Sequence, residues 1–475
     1  MQPKFAFPQI PRPPRANRYD RYAAPGRLVM TDLMLVAALF MAAFWVLDPV
    51  QVGFDRLTGI KHLPLLAICG TLVLAVIGQT LFPVAGAQAQ QPLAAPLPWI
   101  AAYLWPWTLF ALAVIVASLY GRFFNGVENS FLNLGLFMLV APIIAWFALT
   151  TAEPARLGRS FFNGLVFVAG CDGLLQLAHF GGETYFHGVE FAVIPLAVYC
   201  WFAYKSWLMR ILGTGFFLLL APAEHKNTGF MLALVVVAYC GYWDVRARYR
   251  AARDGMARER QVGWGVFMAS GLMMMGLAIY ALRKLLLPDG NPQYRLYTYE
   301  KAWEKFLSSP LIGDAFSGPA TERFTLFTVG GSASNVLPTH SDPLDIFANG
   351  GVVYGFVFFY GVWRVLRLML SQLSRADNGV MPECVPVLHG CLAIFLSGIV
   401  VYCFNPVLTQ PNGALVYWAA TGFGVGLALR MRAAAPAPEP ARRGGLHEIR
   451  REGQPAGGRA AYPEAAVRPL PGIRR

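Results

Sequence analysis

The chain has 475 residues, 56% of them hydrophobic and 14% charged, with a mean hydropathy of +0.47. That is too apolar for a pair of water-soluble domains, so a bilayer is its main solvent. The formal charge of +13 sits in basic residues that flank the apolar segments; the positive-inside rule accounts for them, and no nucleic-acid partner is implied.

Taken in chain order, residues 1–27 are rich in Pro and Arg without an apolar stretch, and read as a cytoplasmic lead-in and not a signal peptide. A ruler of about twenty apolar residues then finds Leu28 to Leu47, Leu63 to Phe82, Trp99 to Tyr120 and Phe131 to Thr150. Five more follow within 28–282: Phe161 to Phe180, Tyr185 to Tyr204, Trp207 to Ala221, Thr228 to Trp243 and Trp264 to Leu282. After the segment 283–351, the region 352–429 holds Val352 to Val365, Val385 to Phe404 and Ala414 to Leu429. The expected fold is therefore an all-α integral membrane protein of about twelve transmembrane helices. A large, partly helical periplasmic loop separates the ninth span from the tenth. The tail 430–475, rich in Ala, Pro, Gly and Arg, is expected to be disordered and cytoplasmic, with an anionic-lipid contact as its functional alternative.

Arg156 and Arg159, Lys205 and Arg210, the run from Arg246 to Arg260, and Arg364, Arg367 and Arg375 all fall on the side of the basic amino terminus. That topology leaves GRFFNGVENS, APAEHKNTG and the 283–351 loop on the opposite face. The seven cysteines lie in apolar stretches without a CxxC pair or a Cys/His cluster, so they read as small buried hydrophobes and no metal or cofactor is expected.

The chemistry-bearing residues concentrate in the loop. An amphipathic helix is predicted from Arg295 to a stop at Pro310 and Gly313, followed by Thr339-His340-Ser341-Asp342 and by Asn349-Gly350-Gly351 entering a span. A guanidinium holds diphosphate oxygens in a bidentate fork, and an imidazole takes a proton near neutral pH. The pair suits group transfer from a lipid diphosphate. Asp172 and Glu190 lie in predicted spans, where an ionisable group is a functional candidate by default; a transporter would also show them. Glu190 is expected to reach water or His187, and Asp172 to make a hydrogen-bonded helix contact.

In this loop the chain resembles the O-antigen ligase and polysaccharide polymerase superfamily. The family pattern of His, then Asn, Ser or Gln, nine residues, Gly, two residues, and Gly, Thr or Tyr is met by His340, Ser341, Gly351 and Tyr354. A family Arg ahead of a helix closing on Pro-Leu-hydrophobic-Gly is matched by Arg295, Pro310, Leu311 and Gly313. The resemblance implies a metal-independent, inverting glycosyltransferase of the inner membrane with a periplasmic active site. Its donor would be an undecaprenyl diphosphate-linked glycan, and its acceptor lipid A core or a growing polysaccharide. His340 would act as general base, Arg295 and Lys226 would bind the diphosphate, and Arg323 would be a further contact. Membrane lipids would surround it, and a lipid-linked glycan flippase is the rival from another class.

The sequence departs from the pattern in two places. Gly313-Asp314-Ala315 stands where the family has Gly-x-Gly, and His225-Lys226-Asn227-Thr228-Gly229 where it has an upstream Ser-Arg-Gly, which makes Lys226 the candidate cation. Lysine lacks the bidentate fork. Alternatives remain for each residue: His340 as an interfacial cap, Arg295 pairing with Glu300 or Glu304, and Lys226 pairing with Glu224.

Overall fold

A computed structural model describes residues 96–127, 131–151, 154–178, 190–223, 227–253, 291–318, 341–376, 381–409 and 411–434, together with Thr339 and four two-residue strands. The predicted spans Leu28 to Leu47, Leu63 to Phe82 and Trp264 to Leu282, the lead-in and most of the tail lie outside the described residues, as do Lys226, His187 and His340.

Helix α1 spans Pro96–Phe124. The next predicted span is broken into α2, Leu132–Met138, and α3, Val140–Thr150. Pro142 is the cause, since it has no N–H for the Met138 carbonyl and its ring crowds that turn. Helix α4 is Pro154–Ala178. Pro195 likewise divides α5, Glu190–Val193, from α6, Leu196–Ala203. Then come α7, Trp207–Ala223; α8, Asn227–Arg253; and α9, Asn291–Ser308. Two antiparallel ladders follow: β1, Glu322–Arg323, pairs with β4, Val336–Leu337, and inside it β2, Thr328–Val329, pairs with β3, Ser332–Ala333. The described elements after these are helices: α10, Asp342–Ala376; α11, Val385–Tyr402; and α12, Pro411–Ala434. Arg430 and Arg432, expected in a disordered tail, continue the helix of α12.

Among the described residues six helices are long and apolar enough to cross a membrane: Leu97–Phe124, Leu132–Thr150, Thr228–Ala247, Asp342–Arg375, Pro382–Tyr402 and Gly413–Ala434. The stretches Glu190–Ala203 and Trp207–Ala221 are apolar but shorter. Exposed apolar side chains run along α1 (Leu109, Leu112, Val116, Phe123) and α7 (Trp207, Leu208, Leu212, Leu219). A water-soluble protein would bury such a belt. This is the pattern of a multi-pass membrane protein.

α12 is the axis of the core. Gly422 and Gly426, four residues apart, let its backbone approach α3 so closely that a Cβ at either would lie 2.3 Å from a carbonyl oxygen, of Ala141 and Ala145 respectively. In a bilayer such small-residue seams replace the hydrophobic drive of water. Around them pack Trp107, whose Nε1 donates to the Phe358 carbonyl at 3.0 Å, and Trp418, edge-on to Trp107 at 4.8 Å. Cys200, Cys240, Cys384 and Cys391 are buried free thiols and Cys403 is partly buried and free, as small hydrophobes should be.

The bundle has two distinguishable ends. At one, Arg430 donates to the Leu149 and Thr151 carbonyls at the end of α3, and Arg364 and Arg432 lie against Tyr103. At the other, Gly121 of α1 meets the backbone of Ser317 in the loop. Tyr103 and Gly121 belong to one helix, which at 1.5 Å per residue separates them by about 27 Å, close to the hydrocarbon thickness of a bilayer.

Candidate functional site

The loop end is assembled from α9, the turn after it, the first residues of α10, the start of α8 and the connection that follows α11. Helix α9 begins at Asn291, one turn earlier than the expected start at Arg295, because Pro292 suits the first turn of a helix, where its missing N–H is not needed. Arg295 therefore stands inside the helix, three residues before Thr298. Thr298 and Ala302 are buried, while Glu300, Trp303 and Glu304 face outward. Glu304 pairs at 2.5 Å with exposed Lys301 and holds that ammonium above its ordinary value.

The turn from Pro310 to Gly318 docks straight onto the break in α10. Gly351 takes φ 61°, ψ −167°, a region open almost only to glycine, and splits α10 into 342–350 and the helix beyond. The N–H groups that begin the second part, of Val352 and Val353, donate to the Pro310 and Leu311 carbonyls at 2.8 and 3.0 Å. In return the Phe316 N–H donates to the Asn349 carbonyl at 3.2 Å. A Cβ on Gly351 would lie 2.4 Å from Leu311 backbone, and one on Gly313 2.3 Å from the Asn349 oxygen. The two motif segments identified in the sequence thus close on each other backbone to backbone. Pro310, Gly313 and Gly351 act here as a joint. Tyr354 belongs to it too: its ring meets Phe316 at 5.3 Å and Phe110 at 5.9 Å, fixing the turn to α1.

Where the family pattern has a second glycine, Ala315 holds φ 52°, followed by Phe316 at 64°. The left-handed geometry is kept without the glycine. Asp314 supplies the compensation. Its carboxylate accepts the Phe316 N–H at 3.0 Å and faces Lys305 Nζ at 3.0 Å, while Lys305 also donates to Asn349 Oδ1 at 2.6 Å.

Around His340, three connections are described. Thr298 Oγ1 donates to the Thr339 carbonyl at 3.5 Å, tying α9 to the residue before His340 in the sequence. On the other side of His340, Ser341 is buried; its carbonyl accepts the Asp345 N–H at 3.1 Å, and its N–H donates to Thr339 Oγ1 at 3.2 Å. Asp342, 2% exposed, accepts the N–H groups of Val407 and Leu408, both at 2.7 Å, through Oδ2. Those donors follow Pro406 in the connection between α11 and α12. From the same connection Asn405 Nδ2 donates to Thr228 Oγ1 at 3.2 Å, two residues beyond Lys226.

One short stretch, Asn405 to Leu408, is therefore bonded both to the residue two places after His340 and to the residue two places after Lys226. Arg323 sits on β1 opposite Val336, three residues before Thr339. Asp342 and Asn405 were not singled out in the sequence. Asn-Pro after an apolar run was the available sign of a turn, but its partner is 65 residues away.

No family model matches this chain, and no curated protein matches it.

Elsewhere, Glu190 is 2% exposed at the start of α5. It does not reach water as expected, because α8 and α11 pack over α5. Asp172 lies within α4. His389, which no sequence motif marks, is buried in α11, where it shares a 2.8 Å hydrogen bond with the Tyr239 hydroxyl and stacks on Phe202 at 3.7 Å. Among the described residues no group of three His, Cys, Asp or Glu side chains is placed to hold a metal.

Proposed function

We propose that this protein is a glycosyltransferase of the O-antigen ligase and polysaccharide polymerase kind, working on a lipid diphosphate donor at the loop end of its bundle. The reading has about twelve spans, lies in a bacterial inner membrane, and puts the loop end in the periplasm. Gathering of Arg364, Arg430 and Arg432 at the far end supports that orientation through the positive-inside rule.

One observation carries the proposal. The described neighbours of Arg295, His340 and Lys226 are bonded into a single chain of contacts, from Thr298 to Thr339, then through Asp342 and the Asn405 to Leu408 stretch to Thr228. Thr298, Asp342 and Thr228 stand three, two and two positions along the sequence from Arg295, His340 and Lys226, which supports one site for the three candidates. In the proposed reaction His340 takes the proton of an acceptor hydroxyl, whose oxygen attacks the anomeric carbon of the glycan from the face opposite the diphosphate. The bond from that carbon to the diphosphate oxygen breaks with inversion. Arg295 and Lys226 neutralise the charge growing on undecaprenyl diphosphate as it departs, and no metal is needed for that step. Arg323 offers a further cation to the diphosphate or glycan. The acceptor is a hydroxyl of lipid A core; in a polymerase it is the end of a growing polysaccharide.

The test compares wild type with His340→Ala and Arg295→Ala in a deletion strain, at matched protein levels, scoring surface glycan and undecaprenyl-linked glycan. Loss of product with donor accumulating on the periplasmic side is expected, and the length of the stalled glycan separates ligase from polymerase. Full activity in both variants overturns the site, and donor trapped on the cytoplasmic side favours a flippase.

A further inference from the structure

The end of the bundle opposite the loop carries a second arrangement of cations that the proposed transfer does not use. Arg364 of α10 and Arg432 of α12 both lie within 6 Å of one ring, Tyr103 of α1, with Cζ-to-centroid distances of 5.3 and 5.7 Å. Among the described residues neither faces a carboxylate. Two like charges held against one tyrosine, where the bundle meets the headgroups, call for an anion.

The arginines are held in place. Pro106 has no N–H to give the Ala102 carbonyl, and Arg364 Nη2 donates to that freed oxygen. Arg364 Nη1 donates to the Tyr360 hydroxyl at 3.1 Å, while its Nε is buried without an acceptor. Arg432 Nη1 donates to the Tyr103 hydroxyl, and its Cζ lies 6.0 Å from the Trp99 ring. Each guanidinium has five N–H donors, so both keep donors for a ligand. The surrounding Trp99, Tyr103 and Tyr360 are the residues that settle at a membrane interface, and Arg367, exposed one turn beyond Arg364, extends the positive surface toward water.

We propose that Arg364 and Arg432, with Tyr103 between them, form a binding site for the phosphate of an anionic phospholipid headgroup on the basic face of the protein. A phosphodiester oxygen pair matches the guanidinium fork, and the acyl chains run down the exposed apolar face of α1. The site lies on the opposite face from the transfer chemistry and does not depend on it.

Native mass spectrometry of the full chain tests this, with phosphatidylglycerol, phosphatidylcholine and inorganic phosphate as probes. Wild type is expected to retain phosphatidylglycerol at least tenfold better than phosphatidylcholine, and Arg364→Gln/Arg432→Gln to lose that preference. Arg122→Gln, at the other end of α1, should keep it. Arg432 is exposed, so Arg432→Gln alone supplies a well-folded variant whose preference should fall severalfold. An unchanged preference in both variants overturns the site, and so does displacement of the lipid by equimolar inorganic phosphate, which would make free phosphate the ligand.

Discussion

Removing the Asp342 carboxylate is the sharpest perturbation of the loop end. Its Oδ2 is the acceptor for two backbone N–H groups at 2.7 Å, and Val407 and Leu408 are 1% and 0% exposed, so water does not replace it. Asp342→Ala orphans both donors. At about 1–3 kcal/mol for each buried group left unpaired, the loss is about 2–6 kcal/mol. Asp342→Asn keeps an oxygen in place for the two N–H groups, so its loss is smaller than that of the Ala variant. Unfolding in mixed micelles of a mild detergent and dodecyl sulfate measures both differences. The expected order is wild type, then Asn, then Ala. Because Asp342 stands two residues after His340, the Ala variant should also lose glycan product at matched protein level while the Asn variant keeps most of it. An Ala variant within about 0.5 kcal/mol of wild type would refute the reasoning, since it would mean the donors find another partner.

Ala315→Gly should stabilise the protein. The left-handed geometry at φ 52° costs a non-glycine residue about 1–2 kcal/mol. The freer unfolded chain of glycine takes back about 0.5–1, leaving a gain of about 0.5–1 kcal/mol, read in the same micelle titration. In the membrane core, Gly426→Ala should destabilise by about 1–3 kcal/mol, because its Cβ would meet the Ala145 carbonyl and backbone on both sides resists movement. Gly170→Ala is the matched control: nothing lies within 4 Å of its Cβ position, so better helix propensity should leave it neutral or slightly more stable.

How much of this could be read from the sequence depends on the distance over which each feature is determined. The apolar runs around α1, α8, α11 and α12 are local, and their helices stand where hydropathy puts them. Pro142 and Pro195 are equally local, yet they were passed over because a count of apolar residues does not register a missing N–H. The loop motifs were legible as spacing, but their geometry was not. His340-Ser341 and Gly351 on one side, and Pro310 to Gly313 on the other, are two motif segments in the sequence with no sign of a contact between them. The structure makes Gly313, Gly351 and Tyr354 the joint that holds the loop to the bundle. The Gly-x-Gly departure was visible as a changed letter, whereas its repair required Asp314 to meet Lys305 and Lys305 to reach Asn349, a side chain 44 residues along the chain. Asp342 is the extreme case. In the sequence it is an acidic residue in the first turn of a helix, where the dipole already explains it. Only the fold brings in the two N–H groups stranded after Pro406, and with them the link from the start of α10 to Thr228 at the start of α8. Short-range rules thus recover the apolar helices among the described residues. The bonds that assemble the site are long-range, and each uses a polar group that no local pattern marks as special.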